Sequence, residues 1–217
     1  MRENDLITIE NFLENKEEML DVKEEPFEKL MFFYKSALNQ LITQMNIIKD
    51  EFQIMYNYDL IDHIDTRIKE PKSIVKKMEK KKYDKTYLNL IDKINDIAGM
   101  RIVCTLKDDI FFIRDLIKQM PEIHILKEKD YVTNPKPSGY SSYHMIVEVP
   151  VKLTQKTIYV KCEIQIRTMA MDFWASFEHK VKYKTEHNVS KKTSKELVSC
   201  AKMISKFDDK MISLKNI

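Results

Sequence analysis

Only two glycines, Gly99 in "DIAGMR" and Gly139 in "PKPSGYSSYH", serve all 217 residues of this chain. Soluble proteins place glycine at about 7% of positions, mostly where the backbone turns tightly or a helix ends. A chain this poor in glycine suits long helices and strands joined by few glycine-dependent turns. It also lacks two common phosphate grips. Neither GxxxxGK[ST] nor GxGxxG occurs in the sequence, so no P-loop and no Rossmann dinucleotide turn is available.

Hydrophobic periodicity divides the chain. From Phe27 to Met55 the apolar residues Phe27, Leu30, Met31, Tyr34, Leu38, Leu41, Ile42, Met45, Ile48, Phe52 and Met55 keep a helical period. The pattern lasts about eight turns and starts just after Pro26. "IDHIDTRI" is short and mixed, and Pro71 then suits the first turn of a helix carrying Ile74, Val75 and Met78.

The period changes in the middle. "MRIVCTL" reads as a buried strand, and "EIHILKEKDYV", "SSYHMIVEVPV" and "TIYVKCEIQIRT" as three more. "DDIFFIRDLIKQM" between them reads as a helix closed by Pro121. A last helical region begins near Thr168. The tail carries Leu197, Ala201, Ile204, Phe207, Met211 and Leu214 in a stripe that this chain or a partner must cover. Helices at both ends of a central mixed sheet of about five strands give an α/β (α+β) fold. Its expected parts are an N-terminal helical region (1–58), a catalytic core (59–185) and a C-terminal helix (186–217).

At 43% hydrophobic and 33% charged the composition is that of a globular protein. No apolar run approaches the roughly 18 residues of a membrane span, and the acidic N-terminus has no apolar signal segment. Cys104, Cys162 and Cys200 form no CxxC pair, so a reducing, cytoplasmic setting without a zinc site is expected. Residues 1–30 carry ten acidic and four basic side chains, whereas residues 67–93 carry ten basic and four acidic ones. Such a positive stretch suits polyphosphate or nucleic acid, and equally a solvated lysine face around "KMEKKKYDK".

Four clusters carry candidate chemistry. On a strand, "KCEIQIRT" puts Glu163, Gln165 and Arg167 on one face at about 7 Å intervals, with Cys162, Ile164 and Ile166 on the other. "NDIAGMRIVC" sets Asp96 before a glycine turn and Arg101 at the start of a strand. If that strand lies beside "EIQIRT", Asp96 and Glu163 converge as magnesium ligands; otherwise Asp96 is an ordinary turn residue. "RIKEPKS" crowds Arg67, Lys69, Lys72 and Ser73, followed by Lys77, around a helix N-terminus, where an anion is favoured. "KPSGYSSYH" places Lys136, Tyr140 and His144 about a turn, with Tyr140 able to stack on a base and His144 either structural or phosphate-binding.

Taken together and in this order, "RIKEPKSIVKKM", "DIAGMRIVC", "KDYVTNPKPSGYSSYH" and "EIQIRTMAMDFWASFEHKVKYK" resemble the synthetase domain of the RelA/SpoT family of (p)ppGpp synthetases. The likeness spans residues 60 to 184, and the short chain points to the small alarmone synthetase (RelQ/RelP-like) branch. The resemblance implies a nucleotidyltransferase-like fold and Mg2+-dependent transfer of pyrophosphate from ATP to the ribose 3′-hydroxyl of GDP or GTP. The product would be the alarmone of the stringent response.

The resemblance also implies roles. Asp96 and Glu163 match the family's metal-binding and catalytic acids. Arg67 and Arg101 match the arginines that sandwich adenine, and Lys69, Ser73 and Lys77 the donor-phosphate contacts. Tyr140 matches the guanine-stacking tyrosine. Lys129, Lys136, His144, Gln165 and Asp172 fall on the acceptor side. Both glycines would then stand where backbone approaches nucleotides or takes positive φ.

Two positions depart from the pattern. "GYSSYH" has Ser141 where the family carries Arg, Gln or Lys, and Tyr143 where it carries Leu. The choice among GMP, GDP and GTP stays open on that account. No His-Asp dipeptide occurs, so synthesis without hydrolysis is expected. The branch implies a homotetramer built through the terminal helices. An RNA-binding regulator that uses the 67–93 stretch on single-stranded RNA is the alternative.

Overall fold

A computed structural model of the chain describes residues 6–9, 17–184 and 189–215. The rest of the N-terminal region and the junction before the last helix lie outside them. The described elements run β1 (Leu6–Thr8), α1 (Glu25–Tyr56), β2 (Ile61–Ile68), α2 (Pro71–Lys81), α3 (Tyr87–Lys93) and β3 (Ala98–Cys104). They continue α4 (Lys107–Lys118), β4 (His124–Asp130), β5 (Tyr143–Lys152), β6 (Thr157–Thr168), α5 (Met169–Lys184) and α6 (Lys191–Lys215).

The strands form one mixed sheet in the order β2-β3-β6-β5-β4, with β1 against β6 as well. β3 and β1 both run parallel to β6, one along its later half and the other along its start. The remaining pairs are antiparallel. β6 is thus flanked on both sides and alternates strictly, with Ile158, Val160, Cys162, Ile164 and Ile166 fully buried.

α1 and α4 cover the apolar face. Pro26 opens α1, and Asn57 in the left-handed region closes it by donating its N–H to Phe52 O. Phe27, Leu30, Met31, Tyr34, Leu38, Leu41 and Met45 share a single core with Ile110, Ile113 and Ile117 of α4. The apolar stripe outruns that core, since Met55 is 72% exposed.

Two strands and a helix were not legible. β2 is "IDHIDTRI", mostly exposed and without an apolar face. β1 has three residues, too few for a period. α3 has seven residues and is started by Thr86, whose Oγ1 accepts the Asn89 N–H at 3.2 Å.

The tail stripe splits. Leu197 is buried against Trp174, whose Nε1 donates to Leu197 O at 2.9 Å, and Ala201 and Ile204 join that satellite cluster. Further on, Phe207 and Leu214 are half exposed. The reason is Asp208, buried on the inner face of α6 with Thr168 Oγ1 donating to Oδ2 at 2.9 Å, which turns its neighbour Phe207 outward.

Candidate active site

On β6, Glu163, Gln165 and Arg167 lie opposite the buried Cys162, Ile164 and Ile166, as the alternation predicts. Register extends this polar face across the sheet. Glu163 pairs with Gly99 of β3, which pairs with Arg67 of β2. Gln165 pairs with Arg101 on one side and His144 on the other. Arg101 in turn pairs with Asp65, and His144 with Lys129. Ladder neighbours of this kind bring side chains into reach of one another.

A cavity of about 580 Å3 opens over these rows. Arg67, Arg101, Tyr140, Glu163, Gln165 and Arg167 line it, and Ser176 and His179 of α5 form its other wall. Gly99 matters here for what it lacks: a Cβ would stand 3.5 Å from Arg67 Cγ, so the arginine lies along bare backbone.

Asp96 occupies the turn before β3. Lys69 Nζ lies 3.0 Å from its Oδ2 and Lys77 Nζ 2.8 Å from its Oδ1. Burial alone would push its pKa up, but the two ammonium groups outweigh that and hold the carboxyl below the usual range. Oδ1 is buried, with the Lys77 ammonium as its near neighbour. Glu163 is governed the same way. Burial pushes it up, the contacts with His144 and Gln165 bring it below the ordinary value, and the charge of Asp96 opposes them. The two acids are therefore close enough to sense each other.

Arg167 holds the site's polar network together. Its Nη2 donates to Tyr140 Oη at 2.7 Å and to Gln165 Oε1 at 2.6 Å, its Nη1 to Asp172 Oδ1 at 3.0 Å, and its Nε to Ser142 Oγ at 3.3 Å. Gln165 Nε2 donates to Glu163 Oε2 at 2.9 Å. Tyr140 Oη meets His144 Nε2 at 2.7 Å, and His144 Nδ1 meets Glu163 Oε1 at 3.3 Å. Arg101 Nη1 reaches Asp172 Oδ1 at 3.1 Å, so that carboxylate sits between two guanidinium groups.

Tyr140 lies outside the main core. Its ring joins the Trp174–Leu197 cluster, with Lys136 Nζ 4.5 Å and Arg167 Cζ 5.1 Å from the ring centre. Burial pushes its hydroxyl pKa up. Gly139 has φ 92°, the positive value expected. A Cβ would fall 2.5 Å from Ala201 Cβ of α6, so this turn also packs closely on that helix.

Of the expected site residues, Arg67, Arg101, Tyr140, Glu163 and Gln165 line the cavity, whereas Asp96, Lys69, Lys77, Lys136, His144, Asp172, Ser73 and Lys129 are not in its lining. Ser73 is exposed in the first turn of α2 and Lys129 is exposed on β4. Among the residues of the site with no role read from the sequence are Arg167, His179 and Tyr131, whose ring meets His144 edge-on at 5.3 Å and lies 4.5 Å from Lys136 Nζ. Arg167 was legible as a member of the polar face, and nothing in the period signals its depth. The lysine run has a local explanation. Lys80 and Lys81 occupy the last turn of α2 and Lys82 is its left-handed cap, where the helix dipole favours cations.

The family model for the region found in RelA/SpoT proteins matches residues 66–188. GTP pyrophosphokinase YwaC of Bacillus subtilis is 42% identical over 191 residues, covering 88% of this chain and 91% of that protein. The crystal structure of small alarmone synthetase 2 from Bacillus subtilis superposes with TM-score 0.80 at 41% identity, covering 88% of this chain and 99% of that one. Small alarmone synthetase 1 from the same organism, bound to its product pppGpp, gives TM-score 0.81 at 30% identity over 89% and 98% of the two chains. These relatives lend no support to the RNA-binding alternative. Register, cavity and likeness agree that the chain belongs to the RelA/SpoT family, among proteins built like the small alarmone synthetases.

Proposed function

We propose that this protein is a GTP/GDP pyrophosphokinase that transfers the β,γ-pyrophosphate of ATP to the ribose 3′-hydroxyl of GDP or GTP, yielding (p)ppGpp and AMP. The observation that carries this reading is the pair Asp96 and Glu163, both held ionised, beside a cavity whose walls carry Arg67, Arg101 and Tyr140. Phosphoryl-group transfer of this class rests on positioning and charge stabilisation, which such a set of residues supplies.

Glu163 receives the proton of the 3′-hydroxyl as that oxygen bonds to the β-phosphorus and the bond to the α-phosphate oxygen breaks. Arg67 and Arg101 hold the adenine, and Lys69, Ser73 and Lys77 the donor phosphates. Tyr140 stacks on guanine. Lys129, Lys136, His144, Gln165 and Asp172 complete the acceptor side.

Asp96 and Glu163 suit a divalent cation, Mg2+ in this reading. Asp96 Oδ1 keeps a lone pair beyond its contact with Lys77, and the described residues hold no cluster of three or more His, Cys, Asp or Glu ligands. Two carboxylates, with water and phosphate filling the rest, match magnesium's habit. When bound, the ion neutralises charge on the transferring phosphate oxygens.

We read the chain as 1–58, 59–185 and 186–217, with the terminal helices assembling a cytoplasmic homotetramer. The half-exposed Met203, Phe207 and Leu214 on α6 support that assembly, and no described helix is long and apolar enough to cross a membrane. Purified protein incubated with magnesium, ATP and GMP, GDP or GTP in turn, resolved by anion-exchange chromatography, tests the activity. A 3′-pyrophosphorylated guanine nucleotide with equimolar AMP is expected, and ATP recovered unchanged with all three acceptors contradicts the reading.

A further inference from the structure

We infer that Arg167 is a positioning residue that orients both oxygens of Glu163 through two separate hydrogen-bonded branches; the inference rests on Glu163 having the role proposed above. A guanidinium can only donate and an ionised carboxylate can only accept. Arg167 stands at one end of both branches and Glu163 at the other, so the bonds leaving the guanidinium and those entering the carboxylate have a fixed direction, and a neutral His144 fixes the remaining one.

The first branch is Gln165. Whichever amide atom lies 2.6 Å from Arg167 Nη2 must be the oxygen, and this leaves Nε2 to donate to Glu163 Oε2 at 2.9 Å. The second branch passes through Tyr140 and His144. Arg167 Nη2 donates to Tyr140 Oη at 2.7 Å, and Tyr140 meets His144 Nε2 at 2.7 Å. At the far end, 3.3 Å from Glu163 Oε1, a neutral imidazole must carry its hydrogen on Nδ1. Nε2 is then the acceptor of the tyrosine hydroxyl proton.

A single nitrogen, Nη2, thus anchors both branches, and the other donors fix the guanidinium itself. Nη1 bonds Asp172 and Nε bonds Ser142 Oγ, which in turn donates to Ile166 O at 3.2 Å. Arg167 is buried at the end of β6, so its fork is pre-set and needs no ordering when substrate arrives. Lysine at this position keeps the charge and loses the fork.

The test is Arg167→Lys, read by steady-state kinetics and by 15N NMR of histidine-labelled protein, with the His144 signals assigned through His144→Gln. Expected are a fall in kcat of about 10–100-fold, the usual effect of removing a group that orients a reacting ligand, and loss of the pure Nδ1–H tautomer. KM for ATP should change little. An unchanged kcat overturns the inference. So does a lower kcat with the tautomer unmoved, because the loss then arises elsewhere. Tyr140→Phe gives a second reading should Arg167→Lys not fold: with the hydroxyl gone from Nε2 the Nδ1–H fraction should fall, since only Glu163 then favours it, and an unchanged fraction counts against the inference. Full turnover by Glu163→Gln would instead refute the role of Glu163, whatever the imidazole signal shows.

Discussion

Gly139 and Ala201 meet where the loop before β5 passes beneath α6, so closely that a Cβ on the glycine would lie 2.5 Å from that of the alanine. Gly139→Ala therefore meets both a strained backbone, at φ 92°, and an overlap with a helix. It should lower the unfolding free energy by about 1–3 kcal/mol, read as a shift in urea midpoint at constant m-value. A change within about 0.5 kcal/mol, ordinary for a surface site, would mean that α6 does not pack on this loop.

Gly99 predicts the opposite balance. A methyl there would make ordinary contact with Arg67 Cγ at 3.5 Å, and the backbone is not in the left-handed region. Gly99→Ala should therefore leave Arg67 in place and KM for ATP near wild type, whereas Arg67→Ala should raise it. An unchanged ATP KM in Arg67→Ala would remove that arginine from the donor site.

Asp96 makes a pH prediction. Its folded pKa is lowered, so its ionised form adds stability above the unfolded value of about 3.9, lost as pH falls through the folded pKa. In Lys77→Met one ammonium is gone, and burial counts for more. The variant should have a lower urea midpoint at pH 7, and the gap to wild type should close as pH drops below about 4. A gap independent of pH would show that the ion pair is not its source.

Tyr140→Ala should weaken guanine nucleotide binding by about 1–3 kcal/mol, the worth of a stacked base, seen as a higher acceptor KM. Tyr140→Phe, which keeps the ring, should leave most of that binding in place. Equal losses for the two would assign the effect to the hydroxyl, tied to Arg167 and His144, and exclude stacking.

Much of this site was legible because β6 alternates without interruption. "KCEIQIRT" assigned Glu163 and Gln165 to the open face and Cys162 and Ile164 to the core. Other parts left weaker marks. β2 is an edge strand whose polar residues face the cavity or solvent, so it shows no apolar period. β1 pairs with a strand about 150 residues later in the chain, and no local pattern encodes such a partner. Period tells which face a residue takes and not how deep it sits, so Arg167 was placed correctly while its four donor contacts went unseen. The tail stripe is covered by this chain only in part for a related reason. Asp208, polar by type, occupies the buried face, and Phe207 points outward.

AMP release by Glu163→Gln, with magnesium, ATP and GDP at saturating concentration, tests the central claim most directly. The account predicts a folded variant that binds both nucleotides and releases almost no AMP. Turnover close to wild type would contradict it.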